Sequence, residues 1–108
     1  MSQENRNVWE MKKALNQEQK YKVEFLRLLI HADRTKWYLE AGFSSLFVLC
    51  TSELRLSRSS ALKRIVAARA ACRFTEILDL LEAGKIHLNA VVLLTPYFTE
   101  DNRTELLC

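Results

Sequence analysis

Chain-breaking residues are almost missing from this sequence. Gly42, Gly84 and Pro96 are its only glycines and proline in 108 residues, which disfavours a turn-rich β fold and leaves helix as the default. Long apolar runs are missing too. The uncharged stretch "AGFSSLFVLCTS" (41–52) falls well short of the about 20 residues that a membrane span needs. The N-terminus "MSQENRNVWEMKK" has no basic start leading into an apolar core, so no secretory signal is expected. Three cysteines, Cys50, Cys72 and Cys108, form no paired motif. An odd count without an export signal points to free thiols in a reducing compartment, and a cytoplasmic location is expected.

Catalytic chemistry is equally sparse. His31 and His87 are the only histidines, and neither has a second histidine or a cysteine at ligand spacing, so no catalytic metal centre is expected. Asp33, Glu40, Glu53 and Asp79 are scattered rather than paired, and no glycine-rich phosphate loop occurs. The expectation is a protein that is not an enzyme, with no catalytic residues, no metal, no cofactor, no small-molecule substrate and no membrane association. His31 reads as a surface residue, His87 as a loop or capping residue. Cys50 and Cys72 sit in apolar runs, where a buried inert thiol is expected.

What is present is apolar content of 49%, which fits a folded chain and argues against disorder. The length suits one domain (1–108). Helix-period patterns cover most of it, and the expected fold is all-α, a compact multi-helix bundle. Residues 1–33 read as N-terminal helices: a short one carrying Val8, Met11 and Leu15, then a longer one capped by Asn16 with Gln19. The longer helix would bury a stripe of Tyr21, Phe25, Leu28, Leu29 and Ala32. "WYLEAG" closes at Gly42. Residues 44–73 read as two helices, capped by Ser44 and Ser57. Residues 75–108 hold the C-terminal helices: one opened by Thr75 and closed by Gly84, one stopped by Pro96, and one opened by Thr99.

Charge is unevenly spread. The net charge is +3, yet "LRLSRSSALKRIVAARAACRFT" (54–75) carries Arg55, Arg58, Lys63, Arg64, Arg69 and Arg73 and no acid. Outside this window acids outnumber cations. Two accounts stay open. The segment binds a polyanion, or it is a core helix whose arginines snorkel or pair with acids elsewhere in the fold. "SLFVLCTSELRLSRSSALKRI" has the outline of a helix-turn-helix: a short apolar helix, the connection "LRLS", then a serine-capped basic helix whose start would meet DNA. On that reading Arg55, Ser57, Arg58, Ser59 and Lys63 face the DNA, while Arg64, Arg69 and Arg73 mostly brace the fold. Arg55 stands where the motif usually has glycine, and Arg64 where a buried aliphatic is usual, with Ile65 one place late.

Several spaced features also agree with one family. They are Tyr38 and Gly42-Phe43 leading into Ser45-Leu46-Phe47, Leu56-Ser57 with Ala61, and Arg64-Ile65 with Ala67-Ala68-Arg69. Gly84-Lys85-Ile86, Leu94-Thr95-Pro96, Thr99 and Asn102 continue them. In these, Arg34 to Leu107 resembles the N-terminal helical region of bacterial HNH endonuclease family proteins. More loosely, Leu56 to Leu94 is similar to the helix-turn-helix of ParB-type partition proteins. Thr75 and Glu100 depart from the endonuclease-family pattern, which usually has proline at both places. The resemblance implies a DNA-directed role without the nuclease, whose metal motif lies in a separate C-terminal part in those proteins. The expected partner is DNA, bound weakly by a monomer, with a homodimer open. The alternative is a protein-interaction or regulatory module that uses its helical surface and binds no nucleic acid.

Overall fold

A 33-residue helix runs along one side of the molecule. In the computed structural model, which describes residues 3–97, α1 extends unbroken over Gln3–Thr35. At about 1.5 Å per residue it is roughly 50 Å long, close to the 54 Å longest dimension of the molecule. The expected break before Asn16 does not occur. An asparagine inside a helix costs only about half a kcal/mol relative to alanine. Its neighbours Ala14, Leu15, Gln17 and Glu18 are good helix formers, so nothing there interrupts the backbone ladder.

The buried stripe of α1 is turned relative to expectation. Leu29 and Ala32 are buried, but Tyr21 and Leu28 are 70% and 60% exposed, and Val23 and Leu26 stand in the core instead. Apolar residues at 23, 25, 26, 28, 29 and 30 offer more than one buriable face, and the packing of α4 and α5 selects among them. Before Gln19, every described residue of α1 is exposed. The helix ends where Lys36 turns left-handed (φ 54°) and donates its N–H to the Ala32 carbonyl at 2.8 Å.

Helix α2 (Trp37–Glu40) buries Tyr38 and stops at Gly42. There the N–H of Gly42 bonds the Leu39 carbonyl and that of Phe43 bonds the Tyr38 carbonyl. This paired pattern needs a left-handed residue, which Gly42 supplies at φ 97°. Gly84 (φ 74°) ends α5 (Glu76–Glu82) in the same way. Between them lie α3 (Leu46–Val48), which passes into a π-helical turn over Leu49–Glu53, and α4 (Arg58–Arg73). The last elements are α6 (Leu88–Leu94) and a 3₁₀ turn at Thr95–Tyr97 that contains Pro96. The expected helix opening at Thr99 lies outside the described residues.

Thr75 does not cap α5. It stands at the N-cap position, but its backbone is already helical (φ −62°, ψ −23°) and its side chain makes no capping bond. A capping side chain needs an extended backbone to reach back to the first free N–H groups, which Thr75 does not have.

The chain is an all-α, compact multi-helix fold, with no strand among the described residues. Helix α4 lies at its centre, packed against α1, α3, α5 and α6. Ala61, Ala67, Ala68, Ala70 and Ala71 are buried around several sides of it; small side chains let neighbouring helices approach closely. Larger core side chains include Leu26, Leu29, Tyr38, Leu46, Leu49, Ile65, Phe74, Ile77, Leu78 and Leu81. No helix among the described residues is long and apolar enough to cross a membrane.

Candidate nucleic-acid interface

The link between α3 and α4 is built from local hydrogen bonds. Ser45, not Ser44, caps α3: its backbone is extended (φ −157°) and its Oγ accepts the Val48 N–H at 3.1 Å. Burial of Leu46, one residue later, sets this register. Thr51 and Ser52 then donate their hydroxyls to the Phe47 and Val48 carbonyls at 3.0 and 2.6 Å. Such back-bonding competes with the backbone ladder, and here the ladder widens: Leu54 N–H reaches the Leu49 carbonyl at 3.2 Å.

Arg55 reverses the chain. It adopts φ 58°, and Leu56 N–H closes onto the Cys50 carbonyl at 3.0 Å. A non-glycine residue in that region costs of order 1–3 kcal/mol. The strain falls on the position where a helix-turn-helix usually has glycine. Ser57 follows in extended conformation, and its Oγ accepts the Ser60 N–H at 3.1 Å, capping α4 as its sequence indicates.

Arg55, Ser57, Arg58, Ser59 and Lys63 are all exposed. Arg58 places its guanidinium 5.4 Å from the centre of the Phe47 ring, a cation–π contact that ties the start of α4 to α3. Among the described residues, no carboxylate is within ion-pair distance of Arg55, Arg58 or Lys63. Within the described residues, acids do not neutralise this end of the segment.

The other three arginines differ from one another. Arg64 is half-buried and donates to the carbonyl and hydroxyl oxygens of Ser60, one turn back. Its bonds stay within α4. Arg69 braces the fold, donating from Nε and Nη2 to the two carboxylate oxygens of Asp33 on α1 at 3.2 and 3.1 Å. These hydrogen bonds hold the Asp33 carboxyl below its ordinary range, against an opposing effect of partial burial. Arg73 is exposed and lies 5.1 Å from the Phe74 ring centre. At about 100° per residue it falls within roughly 60° of Arg58 around α4. The exposed cations thus run further along the helix than the five residues singled out from sequence, although by the same measure Lys63 stands about 140° from Arg58.

His31 is exposed, on the rim of a cleft of about 290 Å³ with Arg27, Arg34 and Cys72. His87 heads α6 in extended conformation without a side-chain capping bond. Among the described residues, no three His, Cys, Asp or Glu side chains gather as metal ligands would. Cys50 is fully buried, and that burial pushes its thiol pKa up; Cys72 is only half-buried.

No family model, no curated protein and no solved structure matches this chain.

Proposed function

We propose that this chain is a DNA-binding helical module, related to the N-terminal region of HNH endonuclease family proteins and without their nuclease part. In this reading α3, the Leu54–Ser57 connection and α4 act as a helix-turn-helix. The start of α4 enters the major groove, and its first N–H groups and Arg55, Arg58 and Lys63 meet phosphates or base edges. The observation that carries it is the set of exposed cations Arg55, Arg58 and Lys63 with no carboxylate paired to them among the described residues. The left-handed turn at Arg55 supports it further. The reading places the chain in the cytoplasm, with the DNA.

A monomer offering three or four phosphate contacts binds weakly, at about 10⁻⁴–10⁻⁶ M in physiological salt. The test is a salt titration of duplex binding by the wild type and by an Arg55→Ala/Arg58→Ala variant of confirmed fold. The variant should bind more weakly, with a log–log salt slope flatter by about two units. Equal binding by both, or none even at about 50 mM salt, favours the protein-interaction reading. No catalytic step belongs to this function, so plasmid DNA incubated with Mg²⁺ or Mn²⁺ should stay intact. Nicking abolished by substitution of His31 or His87 would refute that part.

A further inference from the structure

The N-terminal half of α1 carries an apolar seam that nothing in the described chain covers. Val8, Met11 and Leu15 are 50%, 71% and 55% exposed. Stepping on by three and four, the same seam passes Glu18 and Lys22 and reaches Phe25, Leu29 and Ala32, where α1 meets the rest of the fold. The helix therefore has a heptad-spaced seam, apolar at Val8, Met11 and Leu15, charged at Glu18 and Lys22, and apolar again from Phe25. Its C-terminal half is filled by the chain's own packing and its N-terminal half is open.

Charge follows the same repeat. Arg6, Lys13, Lys20, Arg27 and Arg34 are spaced seven apart and are all exposed. In a heptad whose seam holds Val8, Met11 and Leu15, these five take the position farthest from the seam. Two such helices can bring their seams together without bringing these cations together.

We propose that this open seam pairs with the same seam of a second copy, antiparallel, over residues 4–22. The two-fold axis passes beside residue 13. In this register Met11 lies opposite Leu15 of the second copy, and Val8 lies against the aliphatic stem of Glu18. Glu4 falls opposite Lys22, at a groove of about 340 Å³ that Lys22 shares with Glu18, Tyr21, Phe25, Leu56 and Arg64. A carboxylate arriving there meets Lys22 and Arg64, with the Glu18 carboxylate in the same groove. The like-charged approach in the seam's flank is Lys12 to Lys12 beside the axis. A parallel pairing would instead set Glu4 on Glu4, Glu18 on Glu18 and Lys22 on Lys22, so charge selects the antiparallel arrangement. The contact is isologous and closes at a dimer. It uses none of Arg55, Ser57, Arg58, Ser59 or Lys63, although Leu56 and Arg64 line the groove at its end.

The experiment is sedimentation of the full chain across about a hundredfold range of concentration, where mass action reveals the dimer. Met11→Glu and Leu15→Glu, at exposed positions that leave the fold intact by circular dichroism, should each weaken association about tenfold or more. Glu4→Lys and Lys22→Glu should each weaken it, and the two together should restore it. Ala14→Cys, whose side chains approach across the axis, should give an oxidised dimer in higher yield than Lys13→Cys, which points away. A monomer at every concentration overturns the proposal. So does a dimer indifferent to Met11→Glu and Leu15→Glu, or equal cross-linking at positions 13 and 14. A monomer destabilised by Met11→Glu would show that the chain's own residues cover the seam, which also overturns it.

Discussion

Arg69 on α4 grips both carboxylate oxygens of Asp33 on α1, at 3.1 and 3.2 Å, and so fastens the central helix to the long one. Both side chains stay partly open to water, 58% and 28% exposed, so solvent screens the pair and its contribution is modest. The Asp33 carboxyl titrates below the ordinary aspartate value of 3.8. A depressed carboxyl adds stability that is present above the unfolded-state pKa and lost as pH falls through the folded one. The melting temperature should therefore drop as pH is lowered below about 4. Asp33→Asn should remove part of that drop, while lowering stability at neutral pH. Identical acid profiles for the two proteins would show that the pair contributes nothing.

Arg55 is strained and exposed at once. Glycine adopts its left-handed backbone freely, so Arg55→Gly should raise stability by up to about 1 kcal/mol, reduced by the added freedom of the unfolded chain. If α4 binds DNA as proposed, the same change removes a phosphate-contacting cation and should weaken duplex binding. Stability and affinity then move in opposite directions, measurable by urea unfolding and by a binding titration. A protein destabilised by glycine here would show that the arginine side chain supports the turn.

The two serines before α3 give a sharp contrast. Ser45→Ala should cost about 1 kcal/mol through loss of the bond to Val48 N–H. Ser44→Ala, at an exposed neighbour outside the cap, should change stability by less than about half as much. Paired urea melts decide between them.

Ile65 is 4% exposed at the centre of α4, so Ile65→Ala should cost roughly 2–5 kcal/mol by leaving a cavity. A cost below about half a kcal/mol would mean that the surrounding helices collapse onto the alanine with little loss.

On the proposed DNA-binding reading, Lys63→Ala should flatten the salt dependence of duplex binding by about one unit without changing stability, because the side chain is exposed and has no ion-pair partner among the described residues. Arg69→Ala should reduce stability more than it changes that slope. If Arg69→Ala flattens the slope as much as Lys63→Ala does, the DNA-facing surface extends to the Asp33 ion pair.

Local chemistry was enough to read much of this fold. Scarce breakers made it all-helical. Gly42 and Gly84 marked helix ends because their left-handed backbone is unfavourable for other residues, and Ser57 marked a start because its oxygen satisfies a free N–H at fixed spacing. Exposure of Arg55, Arg58 and Lys63 could be posed from sequence but not decided, since pairing depends on which acids the fold brings near. Other features depended on tertiary packing alone. The choice of Ser45 over Ser44 follows from burial of Leu46. Val23 and Leu26 displace Tyr21 and Leu28 from the core because α4 and α5 lie on that side of α1. The union of two expected helices into α1 has the same character: a weak local preference at Asn16 yields to a continuous backbone ladder. Asp33 and Arg69, 36 residues apart, leave no mark in the sequence, because only the crossing of α1 and α4 brings them together.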